Sequence, residues 1–325
     1  MKRKVCVPLF LVACAFSLFL LPLSAQAATV NVNCNDSDEG PTNSIGKALK
    51  KLDPEGPNTI NVSGSCKENV LIQGFGRLTL NANPGASIND ASGGAGNVVD
   101  IEDSADVTLQ GFTINGGDIG VFCGDSSLCR FKNNTIQNAT PAVMGDGVGV
   151  WIGRSRATFN GDVLQLNMNR GLTVANGSVA YATNLQVNSN SLIGAAVTGG
   201  STFTGDPATI QNNGRAGVYV TTHSTFNILG GSISGNKRSG VVVDDASEAA
   251  ISSFDAATTI SANSGNGVEI HDLSFAVFAN GFPPFSLSVT GNTTSPDVNC
   301  VQVIFSARGA TTDIGGGTTN CKEPL

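Results

Sequence analysis

The chain has 325 residues, with 18 Lys and Arg against 25 Asp and Glu, a formal net charge of −7 and a pI near 4.8. Charged residues are only 13%, while Gly, Ser, Thr and Asn abound, which argues against a disordered chain and for a β-protein whose many turns need φ > 0 or side-chain-to-backbone hydrogen bonds. The acidic balance speaks against broad attraction to nucleic acid or anionic membranes.

Residues 1–27 read as an export signal: Met1-Lys2-Arg3-Lys4 is basic, an apolar run reaches Leu23, and Ala25-Gln26-Ala27 has the small-x-small form of a cleavage site. Leu11-Val12-Ala13-Cys14 has the form of a lipidation box, but too little apolar sequence precedes Cys14 and the run continues past it. No later segment is long or apolar enough to span a bilayer, so no membrane insertion is expected after cleavage. Cleavage removes Lys2, Arg3 and Lys4, taking the formal charge from −7 to −10, and also removes Cys6 and Cys14. Six cysteines remain for an oxidising compartment, secreted or periplasmic. Sequence proximity suggests Cys34 with Cys66, Cys123 with Cys129, and Cys300 with Cys321, one of about 15 connectivities.

Next in the chain, residues 28–58 form an N-terminal cap region. The spacing of Ile45, Ala48, Leu49 and Leu52 predicts a helix over 43–52, capped by Thr42 or Asn43, stopped by Pro54 and serving as a lid. From about Asn58 each repeat shows three short apolar marks. Examples are Thr225–Ile228, then Ser232–Ser234, then Gly240–Val243, each fitting a strand of three to five residues. A fixed interval joins the repeats: Asn167/Gly171, Asn190/Gly194, Asn213/Gly217 and Asn236/Gly240 recur every 23 residues, and Asn263/Gly267 follows after 27. Ser155, Ser178, Ser201, Ser224, Ser247 and Ser274 keep the same beat.

A period in the twenties with β-branched residues between the marks predicts an all-β solenoid of about ten coils. At ~4.8 Å per coil it is a rod of about 48 Å. Superposed repeats place Leu164, Val187, Ile210, Ile233 and Ile260 in one buried column, and Val174, Val197, Val220, Val243 and Ile270 in another. Phe131, Phe159, Tyr181, Phe203, Phe226 and Phe254 read as one interior aromatic stack. The inward Asn column is expected to bond the backbone of its own coil and the next, with Gly four residues on admitting a tight approach. Residues 275–325 lose the beat, carry Pro283, Pro284 and Pro296, and read as irregular coils and a C-terminal cap of the same domain.

Candidate site residues follow from the interval. Arg215 and Arg238 belong on adjacent coils, with Lys237 beside them and Arg170 two coils up, as a cationic ridge entering the third strand. Asp244, Asp245, His271 and Asp272 stand at the exit of that strand, and Glu269, Tyr219 and Trp151 face outward on it. As ligand-binding residues, Arg170, Arg215 and Arg238 would hold carboxylates or sulfates, and Tyr219 and Trp151 would stack on sugar rings. Under an enzymatic reading Asp244, Asp245 and Asp272 would act as acid and base or bind Ca²⁺, the one cofactor such chemistry would call for. The plainer reading is that these are solvated turn residues that keep the rod soluble. His223 and His271 read as surface residues and no zinc spacing is present.

These features resemble the right-handed parallel β-helix proteins of the pectate-lyase-like superfamily with short parallel β-helix repeats. The resemblance rests on the helix over 43–52, the strand Thr59–Val62 and the Asn-x-x-x-Gly-Val units, and it implies fold, not activity. Gly149-Val150-Trp151-Ile152-Gly153 is similar to the Val-Trp-Ile-Asp-His strand of pectate lyases, with Gly153 in place of a calcium-ligating Asp and Arg154 in place of His. Asp244-Asp245 is similar to the paired aspartates of polygalacturonases, without that family's other motifs, and the Asp-Pro-His-Asp of alginate epimerases is missing.

The function expected from the whole is recognition of an extracellular or cell-surface polysaccharide without turnover. A polysaccharide lyase, hydrolase or epimerase is the alternative, and a structural surface rod or adhesin the second alternative. No nucleic-acid partner is expected, and the sequence does not fix an oligomeric state.

Overall fold

The computed structural model describes residues 27–35, 43–254, 256–280, 285–301, 307–308 and 313–322. The expected export signal lies outside these apart from Ala27, as do Thr42, Pro283 and Pro284.

Short strands wind into three parallel sheets, one strand of each per coil. Among the described residues the first sheet has 12 strands, from Ala28–Asn33 to Ala307–Arg308. The middle has ten, from Ser65–Lys67 to Leu287–Val289, and the third ten, from Val70–Gln73 to Val298–Cys300. The chain is thus an all-β parallel solenoid of about ten turns with almost no helix. Period-2 side-chain alternation sends every second residue inward, so like stacks on like at the inter-strand spacing. Leu164, Val187, Ile210, Ile233 and Ile260 are register partners in the middle sheet, and Val174, Val197, Val220, Val243 and Ile270 in the third, all fully buried. Each such side chain contributes about 1.5–3 kcal/mol of apolar burial, repeated at every coil.

Two corners of each coil are held by side-chain ladders. Between the third and first sheets, the backbone N–H of Ser155 donates to Ser178 Oγ, Ser178 to Ser201, Ser201 to Ser224, Ser224 to Ser247 and Ser247 to Ser274, at 3.0–3.2 Å. Between the middle and third sheets, Asn167, Asn190, Asn213, Asn236 and Asn263 are buried, and each donates its backbone N–H and its Nδ2 to the Oδ1 of the next. Asn292 receives the donors of Asn263 and passes its own to Asp297 Oδ1. The bends would otherwise leave these backbone groups buried and unpaired. Gly217 shows why glycine follows: a Cβ there would lie 2.6 Å from the Gly240 carbonyl oxygen and 2.8 Å from Asn236 Nδ2.

The aromatic residues do not form one column. Phe131 pairs with Phe159, and Phe203 with Phe226, but Phe159 is in register with Ala182 and Phe203 with Ala180. Two separate inward pairs result, offset by two positions along the strand, with centroids 4.9 Å and 5.6 Å apart. Tyr181 falls on the outward phase, where its hydroxyl donates to Asp206, and Phe254 is exposed in a turn.

The helix is Ile45–Leu49, shorter than the spacing over 43–52 predicts. Ser44, not Thr42 or Asn43, is its N-cap. The Glu68 carboxylate supplements that cap, accepting from Ile45 N at 2.8 Å, Gly46 N at 3.0 Å and Ser44 Oγ at 2.8 Å. Ile45, Ala48, Leu49 and Leu52 are buried in the same apolar cluster as Val32 and Ile60. Disulfides join Cys34 to Cys66, Cys123 to Cys129 and Cys300 to Cys321.

Candidate functional site

The third sheet carries an outward column that runs, in register, Asp100, Phe122, Trp151, Thr173, Ala196, Tyr219, Val242 and Glu269. Trp151 and Tyr219 therefore share one face, three coils apart. Toward the end nearer Tyr219 the face deepens into a groove of about 470 Å³, lined by Arg215, Tyr219, Arg238, Ser239, Val242, Asp244, Glu269, His271 and Asp272 among others.

One wall is cationic. Leu192, Arg215 and Arg238 are stacked through their backbones, Arg215 N–H donating to Leu192 O at 2.6 Å and Arg238 N–H to Arg215 O at 3.1 Å. Among the described residues, neither Arg215 nor Arg238 has a hydrogen-bonded or ion-paired side-chain partner, and both are exposed. Lys237 is exposed beside them, outside the lining.

The opposite wall is acidic and internally paired. Tyr219 Oη donates to Asp244 Oδ2 at 2.9 Å, and Asp244 Oδ1 accepts the backbone N–H of Asp245 at 2.9 Å. Burial first, and then the Asp244 carboxylate, raise the Tyr219 phenol above its ordinary value, so it stays a proton donor across the neutral range. One coil on, His271 Nε2 lies 3.1 Å from Glu269 Oε1, and Ser239 Oγ donates to Glu269 Oε2 at 2.7 Å. Glu269 thus fixes the imidazole orientation while being held itself.

Three expected members stand apart. Arg170 is one position out of phase with the other arginines: it pairs in register with Val148 and Ile193, and Asn169 occupies the ridge position, accepting from Leu192 N–H at 2.9 Å. Arg170 instead neighbours Asp146, whose carboxyl is raised by burial and by Asp118 and drawn back down by Arg170. Asp245 lies on the outer side of the turn, at φ 53°, away from the groove lining. Trp151 keeps the outward phase but sits three coils from Tyr219. Asp272 lines the groove, yet it shares the exposed turn position with Asp245, not the inner position that Asp244 shares with His271. His271 lies in the groove, whereas the sequence reads it as a plain surface residue. Ser239, Ala216 and Ile193 also contribute unforeseen, although their place just before the repeating glycine marks the sheet's edge.

The one grouping of metal-ligating residue types among the described residues is Cys34, Cys66 and Glu68. Its cysteines are joined in a disulfide and its carboxylate is taken up by the start of the helix. Asp244, Asp245 and Asp272 do not form such a grouping: Asp244 is tied to Tyr219, and Asp245 and Asp272 occupy exposed turn positions. No helix among the described residues is long and apolar enough to cross a membrane.

Residues 149–283 match the family described as "Right handed beta helix region", in agreement with the right-handed parallel β-helix fold that the three parallel sheets build. No curated protein matches it. Among solved structures it is similar to the crystal structure of the periplasmic alginate epimerase AlgG, at 12% identity and a TM-score of 0.44, over 90% of this chain and 77% of that one.

Proposed function

We propose that the groove on the third sheet binds an anionic polysaccharide outside the cytoplasm without turning it over. The observation that carries this reading is the pair Arg215 and Arg238, one coil apart and free of carboxylate partners among the described residues, above an outward face long enough for several sugars. Guanidinium groups bind carboxylate and sulfate bidentately, and a regular rod presents them at fixed spacing. The three disulfides suit an oxidising compartment. Binding of pectate, alginate or a sulfated glycan should weaken on adding salt and be lost in Arg215→Ala with Arg238→Ala. A glycan array with no binder above background, or binding unchanged in that double variant, removes the support.

A second reading, turnover, has its own observation: a carboxylate-oriented imidazole, His271 on Glu269, shares the groove with the Tyr219 phenol. A base and a proton donor opposite arginines suit proton abstraction next to a sugar carboxylate. Unsaturated products, new reducing ends or solvent-isotope uptake that vanish in His271→Ala would establish this reading over the first.

A further inference from the structure

Away from the groove, the outward column of the third sheet holds Phe122 and Trp151 on adjacent coils. Both are partly exposed, and each is followed two positions later by glycine. Gly124 has no room for a side chain because the Phe122 ring occupies it: an added Cβ would lie 2.2 Å from Phe122 Cε1 and 2.6 Å from Cζ. At Gly153 an added Cβ would lie 3.5 Å from Trp151 Nε1 and 3.7 Å from Phe122 Cε2, so both rings reach over this one glycine. The rings lie down against the sheet, where an aromatic pair offers its faces as a platform.

Polar atoms without partners flank the pair. Among the described residues, four buried side-chain polar atoms lack a hydrogen-bond partner, and three are at this end of the third sheet: Asp100 Oδ1, Arg170 Nε and Thr173 Oγ1. Asp100 is the register neighbour of Phe122 on one side, and Thr173, which is 1% exposed, that of Trp151 on the other. Asp100 and Thr173 thus stand one coil to either side of the ring pair, where the hydroxyls of a ligand seated on the rings would meet polar side chains.

We infer that Phe122 and Trp151 form a second subsite, which stacks on the apolar C–H face of an uncharged pyranose in the same glycan whose anionic groups Arg215 and Arg238 hold. The inference rests on the glycan reading of the groove and adds to it a neutral sugar at a fixed distance. Seated on the rings, the sugar brings its hydroxyls to the flanks, where rotation of the Asp100 and Thr173 side chains uncovers an acceptor and a hydroxyl. Trp151 and Tyr219 are separated by three inter-strand steps, about 14 Å, so the glycan lies along the rod axis across several coils.

Trp151 is the only tryptophan in the chain, so its emission reports this subsite alone. The mature protein is titrated with gellan and hyaluronan oligosaccharides, which combine uncharged and acidic sugars in one chain, and with β-1,4-glucan and galacturonate oligosaccharides as probes of each property alone, following fluorescence and calorimetry together. At least one should change Trp151 emission saturably and slow its quenching by acrylamide. Phe122→Leu, which keeps an apolar side chain, should weaken that binding about fivefold to tenfold at unchanged melting temperature. Gly124→Ala, which pushes the Phe122 ring off its seat, should do the same. A glycan that binds in calorimetry through Arg215 and Arg238 while Trp151 emission and quenching stay unchanged would overturn the subsite and leave the groove reading standing. Full affinity in Phe122→Leu would overturn it equally. No binding by either method removes both.

Discussion

Asn213 donates its Nδ2 to Asn236 Oδ1 at 3.0 Å and to the Val187 carbonyl at 3.2 Å, while its own Oδ1 accepts both the N–H and the Nδ2 of Asn190. One side chain thereby ties together three coils. Asn213→Ala strands two donors of Asn190 and a buried carbonyl, and should cost about 2–4 kcal/mol, read from urea unfolding. Asn213→Asp should cost more near neutral pH, because a carboxylate cannot donate to Val187 O or Asn236 Oδ1, and should recover in acid. Equal stability of Asn213→Asp and wild type at pH 7 would contradict the ladder.

The buried ring pairs and the exposed Tyr181 and Phe254 make opposite predictions for residues that look alike in sequence. Phe203→Ala and Phe226→Ala should each lose about 3–5 kcal/mol, since both rings are fully buried. Tyr181→Ala and Phe254→Ala, at 41% and 50% exposure, should stay within about 1 kcal/mol. A large loss at Tyr181 would restore the single-column arrangement.

Asp162 gives the fold a pH signature. Its carboxyl is buried at the corner between the first and middle sheets, where burial raises it from 3.8 to about 6 against the opposing hydrogen bonds from Asn134 and Asn160. Between those two values the folded chain holds a proton that the unfolded chain has released, so stability falls as pH rises through this window. The full loss attributable to Asp162 is about 3 kcal/mol. Unfolding midpoints from pH 4 to pH 7 should show a decline that Asp162→Asn flattens; the same slope in both proteins would remove Asp162 as its source.

The disulfides should differ in weight. Cys34–Cys66 spans 32 residues and Cys123–Cys129 spans six. On chain-entropy grounds, replacing the first pair by serine should cost about 4 kcal/mol and the second about 2 kcal/mol. Denaturant titration of the two double variants checks the order.

Much of this was readable in the sequence because one side chain per coil had to repeat. The 23-residue interval gives the buried columns, both ladders and the adjacency of Arg215 and Arg238 directly. What escaped was phase within a coil. Arg215 and Arg238 stand two residues after their ladder asparagines, but Arg170 stands three after Asn167. Phe203 and Phe226 stand two after their ladder serines, Phe159 four after Ser155, Phe131 four after Ser127, whose N–H donates to Ser155 Oγ, and Tyr181 three. Two and four point inward and three outward, so counting from the serine separates the pairs; the interval alone cannot. Phe122 and Trp151 are 29 apart, because a longer turn over 140–147 makes their coil 29 − 23 = 6 residues longer than the repeat, and no fixed interval connects them. Pairings such as Tyr219 with Asp244 and His271 with Glu269 depend on side-chain reach, which no spacing encodes.

The asparagine-to-asparagine bonds run one way: each Oδ1 accepts only from the asparagine of the coil before, and each asparagine donates to the Oδ1 of the coil after. At Asp297 the side-chain handovers stop on a carboxylate that accepts from Asn292 and cannot donate, while the Asp297 backbone N–H goes to Thr318 Oγ1 at 3.0 Å. Burial works to raise this carboxyl, but hydrogen bonds from Thr318 and Asn292 outweigh it and keep it ionised and accepting. The rod is therefore a directed polymer with a built-in terminator. A chain cut before Asp297 leaves the last asparagine's donors without their acceptor oxygen, whereas at Asp297 the side-chain ladder ends on an acceptor.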